Sequence, residues 1–362
     1  MIIALLGRRE QPTDGVADYC RFLGEAFARR GVPFETAEVP WAESGWGYAT
    51  QWLQERSRSW RGQWVLFQYT ALSWSRRGIP WRAPRALRLL QRNGVRCAVV
   101  FHDAYELDSP HLKDRIRRAM QYRIMRKLYE SSERSILTVD PQKLPWMPAD
   151  GSRASFISIG ANIPSFTSRR TFNPEKIPKV IAVFSVSSNQ HQTQEVSDIA
   201  SAASAAQLAA GPIRLEVFGR GAEAARPSLQ SELAASGVDL AIQGVIPAEK
   251  ITAVLAASDV LLFVRGHATS KRGTAIAGIA CGLPVVGYGK PGDDPAIDSA
   301  GVRLAPWRRP EALAAELVKV ITDEAAWREL HERSLRAEVD YFSWDAVAAR
   351  FASALQIPGA AK

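Results

Sequence analysis

The stretch from Ser258 to Tyr288 places basic side chains just before the start of a predicted helix. It reads SDVLLFVRGHATSKRGTAIAGIACGLPVVGY. The apolar run 261–264 predicts a strand buried on both faces, and residues 265–273 predict a basic loop before a helix of small residues. A helix N-terminus offers unpaired N–H groups to an anion, and guanidinium groups grip phosphate. The candidates for anion binding are Arg265, Lys271, Arg272, Gly273 and Thr274.

The position of these candidates favours binding over simple solvation. They follow the carboxyl end of a predicted central strand, and open α/β sheets bind ligands at that edge. An isolated Lys-Arg pair in a loop is more often only solvated, so that alternative stays open.

A second candidate pair, His102 and Asp103, comes immediately after the apolar strand predicted for Cys97–Phe101. A histidine at the carboxyl end of a strand can contact a ligand, and the adjacent carboxylate can orient it or act as a base. The alternative is a hydrogen-bonded structural pair. We predict that His102 and Asp103 are catalytic.

The elements that position these residues belong to a chain of 362 residues, which is long enough for two domains. Its 46% hydrophobic and 23% charged residues are typical of a globular protein. No run of about 18 apolar residues occurs, and the opening MIIALLGRRE reads as a first strand rather than a signal sequence. Membrane-spanning and secreted proteins are therefore disfavoured, and a cytoplasmic location is expected.

The net charge of +9 lies entirely in the first half of the chain. Residues 1–165 contain 25 Lys and Arg against 16 Asp and Glu, whereas the remainder contains 21 of each kind. This asymmetry supports a division into domains and indicates an anionic partner for the first one.

Strands and helices alternate in both halves, which predicts two doubly wound α/β domains. Ile2–Leu6 and Val180–Phe184 are the opening strands, and the polar, proline-containing segment between the halves is a linker by composition. The predicted boundaries are 1–165, linker 166–178, 179–340, and a C-terminal helix in 341–362.

Three widely spaced cysteines, Cys20, Cys97 and Cys281, lie in apolar surroundings. Free buried thiols in a reducing compartment are therefore expected. The five histidines show no ligand spacing, so no metal site and no cofactor are predicted.

The SDVLLFV strand, the glycine before the helix and the ACGLPVV ending resemble the donor-binding segment of GT-B glycosyltransferases, particularly glycosyltransferase family 4 and its group 1 domain. Residues 341–345, YFSWD, resemble the start of their terminal helix. The resemblance covers nearly the whole chain and is more specific after Val180. It implies the GT-B fold, two Rossmann-like domains facing a central cleft, with the terminal helix packing back on the first domain.

The resemblance also implies a function: retaining transfer of a hexose-type sugar from a nucleotide-sugar to a glycan or lipid-linked acceptor, without a metal. The cations after Val264 would then hold the donor diphosphate, and His102 would lie beside the sugar. The turn Gly219-Arg220-Gly221 resembles the loop that contacts the nucleotide base. Asp14 and Gly15 stand where the family has a glycine-rich acceptor-side loop.

Two departures from the family pattern concern the donor site. The family usually carries two glutamates eight positions apart, and these positions fall at Thr269 and Ala277. Relatives also often place a cation in and after the loop at 185–192, which here contains hydroxyls, amides and His191. A catalytically weak GT-B binding protein and a GT-B epimerase or sugar phosphorylase therefore remain alternatives. An oxidoreductase is least favoured, because no GxGxxG follows the first strand.

The segment from Pro110 to Arg134 predicts an amphipathic helix with a basic polar face. Its apolar positions recur every four residues: Leu112, Ile116, Met120, Ile124 and Leu128. Such a face can lie on an anionic membrane surface, which would make the protein peripheral at the inner face of the membrane. A solvated face is the commoner case, and nucleic acid ranks last because no recognisable module is present.

Overall fold

The computed structural model describes residues 1–8, 14–104, 112–164 and 169–358. The chain forms two compact units, each built on a parallel six-stranded sheet. The first unit consists of Met1–Ile159 and Trp344–Lys362, and the second consists of Gly160–Ser343. The prediction of doubly wound α/β architecture is confirmed.

The first unit has the sheet order β2-β1-β3-β4-β5-β6. Its elements in chain order are β1 (Ile2–Leu6), α1 (Gly15–Arg29), β2 (Phe34–Glu38), α2 (Trp41–Ser59), β3 (Trp64–Tyr69), α3 (Ala83–Arg92), β4 (Arg96–Phe101), α4 (Leu112–Ser131), β5 (Arg134–Leu137) and β6 (Ala154–Phe156).

Alternation along the buried strands gives this unit two apolar cores, one on each face of the sheet. Val99 on β4 faces the core that contains Leu87 of α3 and Leu128 of α4. Val100 faces the opposite core, which contains Leu23 of α1 and the helix that begins at Trp344. The helices α2, α3 and α4 thus cover one face, and α1 and the C-terminal helix cover the other.

The second unit has the sheet order β12-β11-β10-β7-β8-β9. Its elements are β7 (Lys179–Phe184), α5 (Gln192–Ala210), β8 (Ile213–Phe218), α6 (Ala222–Leu233), β9 (Asp239–Ile242), α7 (Ala248–Ala257), β10 (Val260–His267), α8 (Gly273–Ala280), β11 (Val285–Tyr288), α9 (Pro295–Ser299), β12 (Val302–Ala305), α10 (Pro310–Thr322) and α11 (Glu324–Ala337). The helix α12 (Trp344–Ala354) then belongs to the first unit.

The strand order of the second unit reverses between β7 and β10. The chain proceeds from β7 to β8 on one side and from β10 to β11 on the other, so loops after β7 and β10 diverge. In open α/β sheets this topological switch point, at the carboxyl ends of the strands, is where a crevice for ligands forms.

The prediction that a basic loop begins at Arg265 is wrong, because β10 continues to His267. The strand pairs Phe263 with Gly287 and then His267 with Tyr288, so three residues of β10 are accommodated as an irregularity. Gly266 adopts φ +80° within it, a conformation that glycine reaches without a steric penalty. Polar side chains therefore remain part of the sheet beyond the apolar run.

The apolar side predicted for α4 is only partly buried. Leu128 is buried, but Ile116 is 56% exposed and Met120 is 39% exposed. Periodicity identifies a shared face of a helix, whereas burial requires a neighbouring element to cover it. The N-terminal part of α4 thus presents apolar side chains beside its cations.

Cys20, Cys97 and Cys281 are buried free thiols, as predicted. Burial raises the pKa of Cys281 to about 12, which makes this thiol unreactive. In the part of the chain that the structure describes, no helix is both long enough and apolar enough to cross a membrane.

Candidate functional site

The loop after β7 is anchored by a buried carboxylate on α5. The backbone N–H of Ser187 donates to Glu195 over 2.7 Å, and the Ser187 hydroxyl donates to its other oxygen over 2.6 Å. Glu195 is only 6% exposed. A negative charge is therefore fixed beneath the loop, at the switch point of the second sheet.

Two arginines predicted to bind phosphate lie near this carboxylate. Arg272 is exposed, but the surrounding protein displaces part of its water and thereby lowers its pKa. The like charge of Arg265 lowers it further, while Glu195 acts in the opposite direction. The structure thus brings Arg265 and Arg272 together.

The Arg272 guanidinium lies over the irregular part of β10. A Cβ added at Gly266 would come within 3.1 Å of Nη2 of Arg272. Arg272 is also the residue that precedes α8, and among the described residues no side chain caps the helix there. The first N–H groups of α8, from Gly273 and Thr274, are therefore available to an anion at the same place. Lys271 lies half-buried beside them.

Three buried polar atoms of the second unit lack a hydrogen-bond partner within the described ranges and belong to segments that start or end at this edge. They are Nε2 of Gln192, Nε of Arg265 and Oγ1 of Thr269. Buried polar groups are normally satisfied, so such an accumulation indicates a site for a polar ligand. The hydroxyl of Tyr288 at the same edge hydrogen-bonds to the Asp198 carboxylate, and burial together with this bond raises the pKa of Tyr288, which keeps the hydroxyl protonated.

The turn Gly219-Arg220-Gly221 follows β8 and packs against the loop after β7. The N–H of Val186 donates to the carbonyl of Arg220 over 3.0 Å. Gly221 has φ +76°, and a Cβ there would lie 2.0 Å from the Val186 carbonyl oxygen. Local packing thus accounts for Gly221 without a ligand, while Arg220 is exposed next to it.

The side chain of His102 in the first unit is held in one tautomer. Its Nε2 lies 2.7 Å from Oε1 of Gln68, whose amide nitrogen donates to the carbonyl of Leu66. Because the amide oxygen can only accept, Nε2 of His102 carries the proton and Nδ1 keeps its lone pair. Burial lowers the pKa of His102 to about 4, although the charge of Asp14 opposes this shift.

Asp14 caps the N-terminus of α1, a role that the sequence did not predict. Its Oδ1 accepts from the N–H groups of Val16 and Ala17 over 2.8 and 3.1 Å, so it caps α1. Gly15 is the first residue of that helix, and no atom of the described residues lies within 4 Å of a Cβ built there. The other predicted residue here, Asp103, is exposed after β4.

Sequence reasoning missed Gln68, Gln192, Glu195 and Tyr288. Gln68 offered a signal, since it is the polar residue of the otherwise apolar strand β3, and it is buried. Glu195 likewise lies in the first turn of an alanine-rich helix, where its side chain is buried. No group of three or more His, Cys, Asp or Glu side chains that could hold a metal ion occurs within the described residues.

No protein-family model matches the chain, and no curated protein sequence matches it. Solved structures do match over essentially the full length. HepE from Anabaena, solved with UDP and glucose, has a TM-score of 0.64 at 13% identity, covering 98% of this chain and 99% of its own. Sucrose-phosphate synthase from Thermosynechococcus elongatus reaches 0.66 at 17% identity, with complete coverage of both chains.

WaaG, a glycosyltransferase involved in lipopolysaccharide biosynthesis, has a TM-score of 0.63 at 15% identity and covers 99% of this chain and 100% of its own. At such identities the similarity establishes architecture. With its two parallel six-stranded sheets and flanking helices, the chain has the GT-B glycosyltransferase fold.

Proposed function

We propose that this protein is a retaining glycosyltransferase, similar to family 4 enzymes, that moves a hexose-type sugar from a nucleotide-sugar to a glycan or lipid-linked acceptor. The observation that carries the proposal is the set of unsatisfied polar atoms and paired guanidinium groups at the switch point of the second sheet. UDP and UDP-glucose, with which HepE has been solved, are the donors to test first.

In this proposal the second unit binds the donor diphosphate. Arg265, Lys271 and Arg272 neutralise its charge, and the first N–H groups of α8 bind an oxygen of it. As the bond to the sugar breaks, negative charge grows on the leaving phosphate, and these groups stabilise it. The same phosphate oxygen then helps to deprotonate the acceptor hydroxyl. The turn at Gly219–Gly221 contacts the base.

The first unit supplies the groups around the sugar and the acceptor. His102, neutral above about pH 4, accepts a hydrogen bond from a sugar hydroxyl through Nδ1. Asp103 orients the acceptor hydroxyl. Asp14 and Gly15 form the acceptor-side turn at the start of α1, with Asp14 acting mainly through its cap.

Thermal-shift titration with UDP, ADP and GDP tests the donor site. We expect one nucleotide to raise the melting temperature and Arg265→Gln with Arg272→Gln to abolish that rise. Arg336→Gln, an exposed arginine on α11, is the matched control and keeps the rise. The absence of a shift with every nucleotide contradicts the proposal.

A GT-B binding protein without transferase activity is the second candidate, and the replaced glutamates favour it. Ala277 is 1% exposed and has no carboxylate, so it cannot bind a sugar hydroxyl as the family glutamate would. Nucleotide-sugar turnover separates the candidates: release of UDP with sugar on an acceptor supports transfer, and binding without turnover supports the second candidate. Formation of an epimeric sugar assigns an epimerase instead.

For the acceptor side we propose contact with an anionic membrane surface through α4. Exposed Ile116 and Met120 stand among cations of the same helix, of which Arg115 and Arg123 are exposed. Apolar side chains that insert and cations that attract anionic lipid together define a surface-lying helix. Flotation with vesicles that contain phosphatidylglycerol tests it: Met120→Ser with Ile116→Ser is expected to release the protein, and equal binding to neutral vesicles contradicts the proposal.

A further inference from the structure

A groove with a volume of about 610 Å³ lies between α2 and α3 of the first unit. These helices cover the face of the sheet opposite the one on which Tyr19 of α1 contacts His102. The groove is thus separate from the candidate catalytic histidine. Its charged lining residues are all arginines, with no Asp or Glu among the described lining residues: Arg82, Arg85, Arg88 and Arg92.

The guanidinium groups are held by aromatic rings and backbone rather than by carboxylates. Arg82 lies 4.6 Å from the ring centre of Trp81 and 5.5 Å from that of Trp46. Arg85 also lies 4.6 Å from Trp81, and Nε of Arg88 donates to the carbonyl of Pro84 over 3.2 Å. Within the described ranges none of the four lining arginines forms an ion pair. Arg82, Arg85 and Arg88 are therefore pre-oriented and retain their capacity for an anion.

The positions of three of these arginines form a row along α3. Arg85, Arg88 and Arg92 follow each other at intervals of three and four residues, which places them on one side of the helix. Adjacent Cβ atoms in such a row are about 5–6 Å apart. Like charges at this spacing destabilise a helix, and a ligand with repeated negative charges removes that cost.

We propose that this groove binds an acidic oligosaccharide, whose carboxylate or phosphate groups recur from one sugar to the next. The volume falls in the range of small-ligand sites, and neutral polar side chains line it beside the arginines: Thr50, Gln54 and Asn93. Carboxylates and phosphates pair with guanidinium groups, while hydroxyl and amide groups pair with sugar hydroxyls. The site is independent of the donor site in the second unit.

Two other polyanions fit the groove less well. Nucleic-acid bases need free aromatic faces, but Trp46 stacks on Trp41 with ring centres 5.4 Å apart and has Arg82 over it. A lipid surface needs exposed apolar side chains, and the apolar lining residues Leu53 and Leu89 are not exposed.

Isothermal titration calorimetry of the full-length protein tests the proposal. The probes are a short oligogalacturonate, a phosphorylated mannan fragment, and a neutral maltooligosaccharide of similar length. We expect binding to at least one of the acidic probes and none to the neutral one. Arg85→Gln with Arg88→Gln is expected to weaken the binding at least about tenfold, because two charge-assisted hydrogen bonds are lost.

The matched control is Arg309→Gln with Arg336→Gln, which removes the same charge from exposed positions of the second unit and keeps the affinity if the groove is the site. Equal weakening in both variants, or no binding to either acidic probe, overturns the proposal. The proposal is also overturned if the wild type binds single-stranded DNA or anionic vesicles and only the groove variant loses that binding. The nucleotide-induced thermal shift is expected to stay unchanged in the groove variant. A failure of the groove proposal can therefore be distinguished from a failure of the donor-site proposal.

Discussion

At the scale of single residues, the protonation of His102 is set by burial and by one neighbour. Gln68 fixes the proton on Nε2, and the apolar surroundings disfavour a charged ring. This pair is separated by 34 positions in the sequence. The sequence predicts that His102 follows a strand. Its partner Gln68 is identified only by the pairing of β3 with β4 in the sheet.

The low pKa of His102 predicts a specific loss of stability in acid. Its folded-state pKa of about 4 lies below the ordinary value of about 6.5, so the unfolded chain takes up the proton first as the pH falls. The stabilising contribution is complete above about pH 6.5 and is lost towards pH 4, with a total of about 3 kcal/mol.

Thermal unfolding of the wild type and His102→Gln at a series of pH values measures this contribution. The variant is expected to be destabilised relative to wild type at pH 7, with the difference shrinking as the pH falls to 4. Parallel curves for the two proteins would show that His102 is not the titrating group.

At the scale of elements, the turn between β8 and α6 is determined by contact with the loop after β7. The glycines of this turn were predicted as nucleotide contacts from resemblance. The structure gives Gly221 a packing reason that exists without any ligand. The two roles of Gly221, nucleotide contact and packing, can be distinguished by measuring stability and nucleotide binding separately.

Replacement of Gly221 by alanine is expected to destabilise the second unit by more than about 3 kcal/mol. The added Cβ meets the Val186 carbonyl oxygen at 2.0 Å, and the positive φ adds strain. Gly237→Ala is the control, since Gly237 has φ +72° with its nearest neighbour at 3.5 Å and should lose only about 1–2 kcal/mol. Urea unfolding measures both, and equal losses would refute the packing explanation.

Apolar runs sufficed to predict β1, β4 and β7, because buried parallel strands are apolar on both faces. The same rule ended β10 too early, since Arg265, Gly266 and His267 are polar or small yet still belong to the strand. Likewise, the spacing of Ile116 and Met120 gave the correct helix but not its exposure. In each case the local sequence pattern does not contain the position of the neighbouring element, which decides where the strand ends and which side chains are buried.

At the scale of the whole molecule, the C-terminal helix completes the first unit. Trp344 stacks on Phe22 with ring centres 5.5 Å apart, and Phe351 belongs to the apolar core that contains Cys20. Arg29 also pairs with Asp345 over 2.9 Å, an exposed contact that adds little. The core beneath α1 therefore depends on residues more than 300 positions away.

Replacement of Phe351 by alanine is expected to cost the first unit about 3–5 kcal/mol, because a fully buried ring is removed. Labelling with a thiol reagent followed by mass spectrometry should then show faster modification of Cys20, while Cys281 in the second unit stays protected. The exposed Val339→Ala serves as the control. Equal acceleration at Cys20 and Cys281 would contradict the assignment of α12 to the first unit.

This arrangement has a consequence for synthesis on the ribosome. Residues 1–159 leave the exit tunnel early, but the core that contains Tyr19 and Cys20 is incomplete until residues 344–355 have also been translated. The second unit, by contrast, is one uninterrupted segment and can mature first. The nascent amino-terminal half thus exposes apolar surface throughout elongation. We expect chaperones that act on growing chains to bind it.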